Sequence, residues 1–162
     1  TVSDNEAAGR LFDAVGPDAV DSVLSEAGVQ ARVNLVDLRP EFSTFGQTLL
    51  SAADEAVLAD FLPCVDGSGS VLGYMGQVEA SQRYGLGAVG ALFKGGWGPD
   101  TAGNYHVRQL GLIPRGDGVW SPVALTAIPA DGTYETGQAM LTAAATRLAE
   151  ASPALPAARC QP

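Results

Sequence analysis

An α+β fold is predicted for this chain of 162 residues. Three observations carry the expectation. Apolar residues recur at helical spacing through the first half of the sequence. After Gly87 that period gives way to short apolar runs separated by turn residues, the signature of strands. Beyond Asp131-Gly132-Thr133 the helical period returns. The expected order is helices, then an antiparallel three-strand meander, then one closing helix.

Ser3 and Glu6 stand at capping-box spacing, and Leu11, Phe12 and Val15 form an apolar face, so a first helix is expected over 6–15. Gly16 ends it. Pro17 opens a second helix over 17–27, with Val20, Val23 and Leu24 inward and Gly28 as its stop. Residues 29–50 carry Asn34, Asp37, Pro40, Ser43 and Gly46 and read as an irregular loop, long enough to be either functional or disordered. Ser51 and Asp54 flank the start of a third helix over 52–62, with Ala56, Leu58, Ala59 and Leu62 apolar. Asp66-Gly67-Ser68-Gly69 is a turn, and a short helix over 70–78 follows. A buried strand is expected over 88–93, ending at Lys94 and broken by Gly95-Gly96-Trp97-Gly98-Pro99. Strands over 105–113 and 119–128 flank a hairpin turn at Pro114-Arg115-Gly116-Asp117-Gly118. The closing helix is expected over 134–150, with Leu141, Ala144, Ala145 and Leu148 inward, and Pro153 and Pro156 mark a tail.

Hydrophobic residues are 46% and charged residues 17%, too apolar a mixture for an intrinsically disordered chain. The net charge of −9 disfavours nucleic acid and anionic membrane surfaces as partners. No apolar run is long enough to span a bilayer. One lysine, Lys94, stands against eight arginines, a bias expected of a high-GC bacterial genome. Cys64 and Cys160 are either a pair, which suits an exported protein and would tie down the tail, or two separate thiols. The chain begins at Thr1 without Met, as expected of a processed, trimmed or excised polypeptide. An N-terminal threonine can be a self-exposed nucleophile, but Thr1-Val2 run into a helix cap rather than a buried strand. His106 is the sole histidine and no Cys/His/carboxylate cluster has ligand spacing, so no metal and no cofactor is expected. Gly95-Gly96-Trp97-Gly98 lacks the pattern of a phosphate loop. Trp97 and Tyr105 either line a cleft mouth or pack beneath the turn.

Two short motifs, taken with the order of elements, point further. Ser3-Asp4-Asn5 opens a helix, and Lys94-Gly95-Gly96 follows a strand, with two strands and a helix after it. This arrangement resembles the C-terminal two-thirds of the serine β-lactamase and penicillin-binding protein superfamily, class A type. The resemblance implies a β-lactamase/transpeptidase-like fold, with 1–86 forming part of the all-helical lobe and 87–162 the strands, helix and tail. It implies that Ser3 carries a proton toward the leaving nitrogen and that Asn5 binds the amide side chain of the substrate. Lys94 would supply a positive potential, and the backbone of Gly95 and Gly96 would lie against the substrate like an added strand. Pro40-Glu41-Phe42 falls where the family has its omega loop, making Glu41 the deacylating base. Arg108 fits the basic residue that helps hold a substrate carboxylate.

The departures are specific. No serine has lysine three residues later, so the family's Ser-x-x-Lys nucleophile is absent from this chain. Gly95 stands where the family has a hydroxyl residue, and Ser43 where it usually has Asn. The N-terminal helix, first strands and nucleophile helix of the family are likewise missing. The expected partner is that N-terminal segment, on a separate chain or left out. Without it Leu11, Val15, Leu24 and the inner face of the meander would be exposed. The implied activity is that of an exported, cell-envelope hydrolase of β-lactam or peptidoglycan-type amides, inactive as this chain alone. A non-catalytic binding module on the same fold is the alternative.

Overall fold

A computed structural model describes residues 1–36, 46–116 and 118–162. Among these are five α-helices: α1 (Asn5–Val15), α2 (Pro17–Ala27), α3 (Ala52–Phe61), α4 (Gly69–Met75) and α5 (Tyr134–Glu150). Three strands, β1 (Leu92–Pro99), β2 (Tyr105–Pro114) and β3 (Trp120–Ala127), form an antiparallel sheet in the order β1-β2-β3. The α+β class and the closing helix agree with the sequence.

The N-terminal cap of α1 differs from expectation. Asp4, not Ser3, is the cap, accepting the Ala7 amide at 2.9 Å. Ser3 adopts φ 57°, outside the extended region a capping residue uses, so the Ser3–Glu6 capping box does not form. The junction of α1 and α2 is as read: Gly16 sits between them and Pro17 occupies the first turn of α2. Gly28 closes α2 in the left-handed region at φ 90°, where a side chain would be strained. The capping box of α3 is present, with Ser51 and Asp54 satisfying each other's amides. Residues 29–36 and 46–51 carry no helix or strand. Pro40, Glu41, Phe42 and Ser43 lie outside the described residues.

The first strand is displaced from the expected one. Gly85–Val89 forms a 3-10 turn, closed by Gly90 in the left-handed region. The strand runs on through the glycines that were expected to break it, because β2 offers a continuous partner. Lys94 pairs with Leu110, Gly96 with Arg108, Trp97 with Val107 and Pro99 with Tyr105. Ladder hydrogen bonds need only backbone, so an edge strand tolerates glycines at a modest cost.

Alternation sends Phe93, Val107, Ile113, Val123 and Ala127 to one face, where Leu141 and Ala145 of α5 meet them. Leu92, Leu110, Leu112 and Trp120 point to the other face. That face is not exposed as expected. Leu72 and Met75 of α4 and Ala158 of the tail cover part of it, and α3 lies against β2 and β3. Leu24 is also buried, with Ala27 and Val29 against Leu50, Leu58 and Phe61. Leu11 and Val15 of α1 are open as expected, at 68% and 57% exposure, and Val23 of α2, expected inward, is also exposed.

The tail crosses from α5 to α3. Cys64 and Cys160 are joined in a disulfide. The Ala158 amide donates to the Trp120 carbonyl at 2.8 Å and the Arg159 amide to Asp60 Oδ1 at 2.8 Å, with Arg159 and Asp60 also ion-paired. Among the described residues, no helix is long and apolar enough to cross a membrane.

Candidate active site

Lys94 lies on β1, an edge strand, on the same face as Leu92. Its Nζ donates to Ser3 Oγ at 2.8 Å and to the Gly95 carbonyl. Ser3 Oγ donates onward to Gln82 Oε1 at 2.9 Å. Gln82 Nε2 donates to the Val2 carbonyl at 3.1 Å, and the Glu79 amide to the Thr1 carbonyl at 3.2 Å. Residues 1–3 are thus strapped to the 3-10 turn Ala80–Gln82, which seats the Ser3 hydroxyl over the lysine.

Chemically, this is a hydroxyl with a cationic donor on one side and an amide acceptor on the other, a group able to pass a proton. Partial desolvation holds the Lys94 ammonium below the ordinary lysine range. Ser3 is the only non-glycine described residue with positive φ. Such conformations are sparsely populated and persist where surrounding contacts hold them.

The other residues singled out by the sequence are placed less closely. Asn5 is the first residue of α1 and is exposed. A side chain at Gly96 would meet nothing within 4 Å, while one at Gly95 would lie 3.8 Å from Tyr84 Oη and from Gln109 Cγ. Neither glycine is therefore demanded by neighbours among the described residues.

Arg108 shares the Lys94 face, diagonally across the β1–β2 pair. Its guanidinium is engaged internally: Nε ion-pairs with Glu55 Oε1 at 3.2 Å, and an Nη donates to the Leu50 carbonyl at 2.7 Å. The group that the resemblance assigns to a substrate carboxylate already holds a carboxylate of its own chain. Sequence reading missed Glu55, because a glutamate in the first turn of a helix ordinarily faces solvent and favours the dipole. Here it is 8% exposed, its pKa is raised by burial against the opposing pull of Arg108, and its Oε2 has no hydrogen-bond partner among the described residues.

On the opposite face of the sheet Tyr134 packs against Trp97 and Tyr105, with ring centroids 5.5 and 5.4 Å apart, and meets Tyr84 edge-on. Burial and the Tyr134 hydroxyl push the Tyr84 phenol well above its ordinary range. Trp97 and Tyr105, expected at a cleft mouth or beneath the turn, instead pack against Tyr134 at the start of the closing helix. His106 hydrogen-bonds to Thr126 Oγ1, and burial, then Arg108, lower its pKa. A cavity of about 480 Å³ lies along Gln30–Leu35, Gln47, Leu49 and Asp54, and none of the described candidate residues lines it.

No family model matches the chain, and no curated protein does.

Proposed function

We propose that this chain forms one wall of an acyl-transfer cleft of the serine β-lactamase and penicillin-binding type, acting outside the cytoplasm on β-lactam or peptidoglycan-type amides. The attacking serine would come from a Ser-x-x-Lys helix in the N-terminal segment of the same fold. The observation that carries the reading is the 2.8 Å contact of Lys94 Nζ with Ser3 Oγ, between residues 91 positions apart. Those two groups are the ones the Ser-Asp-Asn and Lys-x-Gly motifs would bring together. Ser3 would relay a proton to the leaving nitrogen, Lys94 would attract an anionic substrate, and Asn5 would bind its amide. Gly95 and Gly96 would offer backbone to an extended ligand, and Glu41 would activate the deacylating water. The Cys64–Cys160 disulfide is compatible with an extracytoplasmic location.

A second reading, a binding module that performs no chemistry, is favoured by the occupied guanidinium of Arg108 and by the missing hydroxyl at Gly95. Acylation by a fluorescent penicillin, in protein completed with the nucleophile helix, separates the two. For the groove itself, titration calorimetry of benzylpenicilloate against the chain is the test. Lys94→Ala is expected to weaken that anion's affinity by about tenfold, the size of one charge-assisted contact. An unaltered affinity removes Lys94 from the binding site.

A further inference from the structure

The proposed function uses Ser3 only to carry a proton, yet its surroundings are those of an attacking group. We infer that Ser3 is itself a nucleophile, with Lys94 as its base, and that this chain is acylated at Ser3 Oγ by activated acyl donors such as aryl esters. The inference goes beyond the proposed function and needs no Ser-x-x-Lys helix.

Three features support it. A hydroxyl 2.8 Å from an amine has the separation that a nucleophile and its general base require. Serine–lysine pairs serve in this way on unrelated folds, and they are recognised by geometry rather than by motif. Second, the backbone of Ser3 is held at φ 57° by hydrogen bonds on either side of it, from Gln82 Nε2 to the Val2 carbonyl and from Ser3 Oγ to Gln82 Oε1. Observed strain of this kind concentrates at reactive positions. Third, desolvation favours the neutral amine, the form able to accept a proton.

The step balances as follows. In the neutral-amine state the Ser3 O–H turns from Gln82 Oε1 to Lys94 Nζ. Oγ attacks the ester carbonyl, and its proton passes to Nζ. The Oγ–C bond forms, the bond from carbonyl carbon to aryl oxygen breaks, and Nζ returns the proton to the aryl oxide. The products are an ester on Ser3 and a phenol.

Other charged groups lie on the segments around Ser3 and Lys94. The Asp4 carboxylate caps the Ala7 amide, Arg83 donates to the Val78 and Gly76 carbonyls, Arg108 on the Lys94 face is held by Glu55 and the Leu50 carbonyl, and Glu79 precedes the 3-10 turn. Tyr84, the phenol nearest Gly95, titrates well above the ordinary tyrosine range. The remaining amine is that of Thr1, whose carbonyl is bonded to Glu79.

The test uses p-nitrophenyl acetate on the intact, oxidised chain, with peptide mapping by tandem mass spectrometry and a hydroxylamine wash. An acetyl ester at Ser3 is removed by hydroxylamine, whereas an acetyl amide on Lys94 or Thr1 survives. The expected result is a hydroxylamine-labile acetyl at Ser3. Its rate should rise with pH and level off once Lys94 is neutral. Ser3→Ala should abolish it, and Lys94→Met, which keeps the Thr1 amine, should slow it about a hundredfold or more. Acetylation confined to amines, labelling of other serines at the same rate, or an undiminished rate in Lys94→Met would overturn the inference. Should Lys94→Met not fold, the parent's pH profile decides: a first-order rise with hydroxide and no plateau means that no protein base acts. The penicilloate affinity tests the Lys94 groove independently, so the two ideas can fail separately.

Discussion

Replacing Cys64 and Cys160 by serine is expected to lower the unfolding free energy by about 4–5 kcal/mol. The bond joins residues 96 apart, so in the unfolded chain it removes much of the freedom of a long loop. In the folded chain it holds the tail in the one place where the tail is useful. Ala158, 6% exposed, shares a buried cluster with Leu72, Met75 and Leu112. The Ala158 amide bonds to Trp120 at the start of β3, and Arg159 pairs with Asp60 of α3. Release of the tail would uncover that part of the sheet. Urea unfolding of the double variant against the oxidised parent, with the reduced parent as control, checks the figure. A loss under about 1 kcal/mol would mean that the noncovalent contacts alone hold the tail, against the expectation of the loop-closure argument.

Arg108→Met is expected to cost about 3 kcal/mol at neutral pH, because removal of one partner leaves a buried charge uncompensated. The methionine keeps most of the apolar stem, so the loss reports the ion pair and the bond to Leu50 rather than a cavity. The pH dependence identifies the cause. Burial already raises the Glu55 pKa, and Arg108 is the group pulling it down. Without Arg108 that pKa rises further. A carboxyl whose folded pKa exceeds its unfolded one contributes fully below the unfolded value, and the contribution is lost as pH climbs through the folded value. The variant should therefore approach parental stability in acid and fall away toward neutral pH. Adding Glu55→Gln should flatten that slope. Urea unfolding between about pH 4 and pH 8 measures both, the span bracketing ordinary and raised glutamate values. A pH-independent loss would assign the effect to packing instead.

The elements legible in the sequence are those with local chemistry at their ends. Pro17 and Gly28 delimit α2, Ser51 and Asp54 cap α3, and Thr133 starts α5 by accepting the Thr136 amide. The first strand was misplaced because glycine was weighed as a local breaker, while the ladder to β2 fixes it nonlocally. Ser3 was read as a cap for a similar reason. Its spacing to Glu6 suits a capping box, but Asp4 is one residue better placed, which leaves the Ser3 hydroxyl to Lys94 and Gln82. Ser3 and Lys94 were legible as members of two motifs. Gln82 was not, since nothing marks a glutamine in a 3-10 turn as the acceptor for a hydroxyl 79 positions away. Glu55 was hidden because the burial of a charged residue depends on which helix packs over the sheet. Leu24 and the second face of the meander were expected to be open, and α3, α4 and the tail close over them.

The pairing of Ser3 with Lys94 is tested most directly by nuclear magnetic resonance of the lysine side chain. Lys94 is the sole lysine, so lysine labelled with ¹³C and ¹⁵N gives one assignable set of side-chain signals. In the parent its titration should fall below the ordinary lysine range, and its Nζ signal should move when Ser3 is changed to alanine. An ordinary titration, with an Nζ signal indifferent to Ser3→Ala, would contradict the shared groove.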